Sequence, residues 1–174
     1  MPRLLCIWLF HAGLVIKPHR KVVNGAVMRK SSGGIGLNQK TIFPVGVLRK
    51  SEMRERLNLV GAAEQHLLWK NRLGHHIRGD LDEALDPGLV GQSGICQLGA
   101  WIKGSELQAL CETRAYCELD SAHALFHEFG AEIMRRLKQG DRAEADSIFK
   151  NEYSLTMQHI VQALTKINQL LQEP

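Results

Sequence analysis

From about residue 50 onward the apolar positions follow the helical period, whereas no period is sustained before it. Leu57, Val60, Leu67, Leu73 and Ile77 predict a first long helix, with Ser51 able to cap its start and Gly79 able to end it. Residues 79–93 carry three Gly and one Pro and read as a long connection. A short helix containing Cys96, Leu98, Trp101 and Ile102 is expected next. From Thr113 to Lys138 a single stripe collects Tyr116, Leu119, His123, Phe126, His127, Gly130, Ile133 and Leu137, the face expected to be buried. Gly140 ends that helix. Asp141 caps the next, with Glu144 three residues on as in a capping box. The last helix runs through Ile148, Phe149, Tyr153, Thr156, Ile160, Ala163, Ile167 and Leu170.

These elements predict an all-α fold. It is a four-helix-bundle-like domain over 51–174, with an additional short helix carrying Cys96 and an irregular extension over 1–50 ahead of it. Strand-like alternation is absent after residue 50, and no repeat of twenty to fifty residues is visible.

Charge sharpens the same boundary. Residues 1–50 hold nine Lys or Arg and no acid, while 51–174 hold thirteen Lys or Arg against eighteen Asp or Glu. The net charge of +4 is therefore +9 followed by −5, and the bundle offers no basic face for a nucleic acid. Within the extension, Ser31–Gly36 reads as a turn or linker. Gln39 stands where a phosphate loop needs the Gly before Lys40-Thr41. The apolar run Leu4–Phe10 is too short for a bilayer span, which takes ~20 residues. As a signal peptide it lacks a convincing cleavage site. Met53-Arg-Glu-Arg opens the domain cleanly, so the extension is expected to be disordered or not part of the native product. Cys6, Cys96, Cys111 and Cys117 form no CxxC pair, which favours a reducing compartment.

The chemistry lies in four potential ligands. His123 and His127 leave one helix face a turn apart, within an apolar stripe where two imidazoles need partners or a metal. An isolated pair of this kind more often has ordinary hydrogen-bond partners. His66 sits among apolar neighbours on the first long helix. Cys96 precedes Gly99, which permits close backbone approach, and Trp101, which buries the thiol's surroundings. Three imidazoles and a thiolate complete a closed tetrahedral zinc site. His75, His76 and His159 read as helix-end or surface residues, Cys111 and Cys117 as small core residues, and Met134 and Met157 as packing.

At these positions the sequence resembles the chemoreceptor zinc-binding (CZB) family. The motifs are His66-Leu-Leu-Trp69, Cys96-Gln-Leu-Gly99-Ala-Trp101 and His123-Ala-Leu-Phe-His127, in the family's order, with the likeness extending over about 53–171. The resemblance implies zinc held by His66, Cys96, His123 and His127, in a regulatory domain and not an enzyme. It further implies a cytoplasmic place in bacterial signal transduction, in chemotaxis or cyclic-di-GMP control, with zinc or an oxidant as the signal. A homodimer is expected, acting on a chemoreceptor or diguanylate cyclase partner in trans, without nucleic acid or membrane. Asp120, one turn before His123, is the candidate to orient that imidazole. Two other readings stay open: a dimerisation bundle stapled by structural zinc, and a metal-dependent helical-bundle enzyme. For a di-iron version of the enzyme, Asp120-x-x-His123 supplies half a motif.

Overall fold

The computed structural model describes residues 48–81 and 83–173. The features read from residues 1–47, which include Leu4–Phe10, the 31–36 linker and nearly all of the extension, lie outside them. Among the described residues there are seven α-helices and no strand. None of these helices is long and apolar enough to cross a membrane.

The first predicted helix is two. Helix α1 (Lys50–Arg56) ends where Leu57 turns extended, and α2 (Leu59–Arg78) restarts with the Asn58 side chain accepting from Gly61 N at 2.9 Å. The break resets the helical phase, so the buried face of α2 is Leu59, Ala62, His66, Leu73 and Ile77. Val60 and Leu67, expected inside, are 69% and 43% exposed. Ser51 is not the cap; Arg49 occupies that position and its backbone N–H donates to Glu52. Gly79 does end α2, in the left-handed conformation with φ +82°, where a Cβ is disfavoured.

The connection contains one short helix, α3 (Pro87–Val90), with Asp86 capping it through a 2.9 Å bond from Gly88 N. Helix α4 (Gln97–Lys103) is the expected short element and buries Leu98, Trp101 and Ile102. Helix α5 (Arg114–Lys138) is capped by Thr113 and follows the stripe closely, with Leu119, His123, Phe126, His127, Gly130 and Ile133 buried; Tyr116 and Leu137 are half-buried at its ends.

The last helix is interrupted. Helix α6 (Arg142–Ile148), capped by Asp141, passes into a π-helical turn over Phe149–Tyr153 and then into α7 (Ser154–Gln172). The turn places Tyr153 at 0% exposure, stacked on Phe126 with ring centroids 4.4 Å apart. Helix α5 is the centre of the bundle: α3, α4, α6 and α7 pack on it, and α7 also receives α1 and α2. Met134 and Met157 pack in this core, as expected.

Candidate metal centre

Three segments deliver the four predicted ligands. His66 comes from the middle of α2, Cys96 from the residue capping α4, and His123 with His127 from consecutive turns of α5. One donor atom of each lies within 4.8 Å of every other. His123 Nε2 stands 3.1 Å and His66 Nε2 3.8 Å from Cys96 Sγ. A tetrahedral zinc, with bonds of ~2.0–2.1 Å to nitrogen and ~2.3 Å to sulfur, separates its donors by roughly 3.3–3.6 Å. The two measured spacings bracket that range.

Hydrogen bonding fixes which nitrogens are available. His66 Nδ1 lies 2.7 Å from Ala62 O and His127 Nδ1 2.7 Å from Val90 O. A carbonyl can only accept, so in both rings Nδ1 carries the proton and Nε2 holds the lone pair. His127 Nε2 is buried with no hydrogen-bond partner, the condition a metal would relieve. The residues therefore fit a tetrahedral, thiophilic ion. They include no carboxylate to favour a harder one.

Electrostatics agree with the tautomers. Burial is the main cause that lowers the pKa of all three imidazoles, His123 to about 3. The carbonyl bonds of His66 and His127 oppose the shift. Neutral imidazole is the form that binds a metal. Burial raises the Cys96 thiol, with the backbone N–H groups of Gly99 and Leu98 pulling the other way. Cys96 is a free thiol, and its Sγ accepts from Gly99 N at 3.3 Å.

Gly99 is required by this arrangement. A Cβ there would overlap the Ser93 carbonyl oxygen and lie 3.1 Å from His123 Cε1. Asp120, by contrast, is exposed, and its side chain hydrogen-bonds no described residue. The groups that orient His66 and His127 are main-chain carbonyls, which leave no signature in a side-chain pattern. His76 also departs from expectation: it is 7% exposed with Nε2 unpartnered, while His75 faces solvent and pairs with Asp80 at 3.0 Å. Cys111 and Cys117 are half-buried and not core residues.

Residues 66–134 match the sequence model of the chemoreceptor zinc-binding domain family. This segment belongs to that family. The match begins at His66 and takes in all four converging residues, though it is shorter than the 53–171 span over which the resemblance was expected. Zinc is the metal that the CZB family binds, and the His66, Cys96, His123, His127 cluster is suited to it. The search of curated proteins and the search of solved structures found no match. The CZB segment contains α3, α4, α5 up to Met134 and most of α2. The helices α1, α6 and α7 complete its core from outside the matched span.

Proposed function

We propose that this CZB domain is a regulatory sensor in which His66, Cys96, His123 and His127 hold one zinc ion and Cys96 is the ligand that responds. The reading rests above all on the inequality among the four ligands. The three imidazoles are buried on two long helices, whereas Cys96 is partly exposed at the junction of a short helix with the irregular segment 91–95. When bound, zinc keeps the Cys96 sulfur as thiolate, the form in which a cysteine is oxidised. Conversion of that sulfur to a sulfenic acid weakens it as a donor.

What moves then is constrained by packing. Leu98 and Ile102 are nearly fully buried and keep α4 seated, so the change falls on residues 91–95 and on α3, whose Val90 carbonyl orients His127. Loss of the Cys96 bond thus reaches a second ligand through five intervening residues. The domain is regulatory and not catalytic in this reading, because four protein donors close a tetrahedral ion to a reacting water. A cytoplasmic setting, a homodimer and a signalling partner in trans complete it. Val60, Leu67 and Leu68, exposed along one face of α2, offer apolar surface to a second copy.

A zinc titration with the oxidation state of Cys96 followed in parallel tests the reading. One zinc per chain, released on mild oxidation, is the expected result, and Cys96→Ser should weaken binding while keeping the helical signal. The rival, a structural staple, is favoured by the burial of the three histidines; tight zinc with an inert Cys96 would establish it instead. Two irons per chain would overturn both.

A further inference from the structure

A cavity of about 480 Å³ opens beside the metal centre, and His66, Cys96 and His127 form part of its wall. The remainder is mostly apolar: Trp69, Ala84, Leu85, Leu89, Val90 and Ile95, with Gln65 and Asp86 as its polar members. Its volume lies within the range of small-molecule sites, ~300–1,000 Å³. Leu89 and Ile95 are 55% and 62% exposed, while Val90 and His127 are buried, so the lining grades from an open apolar side to a buried one beside the ligands. The single charged residue in the lining is Asp86, an anion; no Lys or Arg is present to attract an anionic oxidant.

We propose that this cavity binds organic hydroperoxides and presents the peroxide group to the Cys96 sulfur. The inference rests on the reading of Cys96 as the responsive ligand and names the class of oxidant it meets. The apolar wall takes the hydrocarbon part of the molecule out of water, which leaves the small polar –O–OH end toward the one thiol in the lining. The Cys96 thiolate attacks the terminal oxygen. The S–O bond forms as the O–O bond breaks, sulfur gives up two electrons and becomes a sulfenic acid, and the departing alkoxide takes a proton from solvent to leave as the alcohol. Hydrogen peroxide undergoes the same step without the apolar gain. Burying an aromatic or branched group corresponds to a preference of roughly tenfold or more.

The test uses the full chain, reduced and zinc-loaded, with cumene hydroperoxide and hydrogen peroxide in separate reactions. The rate of dimedone labelling at Cys96 is followed by mass spectrometry, alongside zinc release to a chromophoric chelator. Free cysteine gives the intrinsic ratio of the two rates. The protein's ratio should exceed it by roughly tenfold in favour of cumene hydroperoxide. Leu89→Asn and Ile95→Asn, both at exposed positions, should return the ratio toward that of free cysteine. An intrinsic ratio in the unmodified protein, or a raised ratio indifferent to both substitutions, overturns the proposal while the sensor reading stands. A Cys96 inert to both peroxides overturns the two together.

Discussion

A buried imidazole titrates against the fold that buries it. His123 has its pKa lowered from 6.5 to about 3, chiefly by burial, and His66 and His127 shift in the same direction. Each binds fewer protons folded than unfolded. The stability tied to neutral imidazole is therefore full above the unfolded value near 6.5 and is lost as pH falls toward the folded value. The metal-free domain should lose up to about 1.4 kcal/mol per pH unit for each such histidine below that point. Urea unfolding at pH 7 and pH 5 checks this, and His123→Gln should flatten the dependence. Cys96 moves the other way, held protonated by burial. Zinc binding at pH 7 should accordingly release about one proton, read by calorimetry in buffers of different ionisation heat; none, or three, would refute the assigned protonation states. Gly99→Ala should cost at least the ~1–3 kcal/mol of overpacking and weaken zinc binding, since its Cβ meets backbone. The four donors and Gly99 were legible because each is a residue type with its own chemistry at a fixed spacing. Ala62 and Val90 were not, since they act through carbonyl oxygens that every residue possesses.

Among the elements, α5 is the one whose pattern could be followed almost residue by residue, because it lies at the centre of the bundle and its stripe is buried along its length. The break at Leu57–Asn58 and the π-turn at Phe149–Tyr153 escaped the pattern. A helical repeat continues across both with little disturbance, and only the packed neighbours show which phase is inside. Helix α3 also went unforeseen, although Asp86-Pro87 is a good helix start. Its role suggests a contrast between two acids. Asp86→Ala removes the cap of the helix that presents the Val90 carbonyl and should lower stability by ~1 kcal/mol, with a loss of zinc affinity approaching the ~10-fold typical of a group that orients a ligand. Asp120→Ala should leave zinc affinity as it is. Competition with a calibrated chelator reads both variants. Tyr153 supplies another test: its hydroxyl is buried without a partner at the end of the π-turn. Tyr153→Phe should be neutral or stabilising by up to ~1–3 kcal/mol in chemical denaturation of the metal-free form.

At the scale of the molecule, the four candidate ligands bring together parts of the chain that are otherwise remote. Cys96 is 30 residues from His66 and 27 from His123, so a shared ion closes two loops of similar length in the middle of the domain. In the chain-entropy view, a cross-link closing a loop of that size removes ~3–4 kcal/mol of freedom from the unfolded ensemble. The four ligands are unequal in this respect. Losing His127 opens no loop, because His123 still holds the same helix. Losing Cys96 leaves the outer helices tied but fuses the two loops into one of their combined length, with α3, α4 and the segment between them inside it. The domain would then answer oxidation as a change in chain connectivity: its ends stay fastened while its middle gains slack.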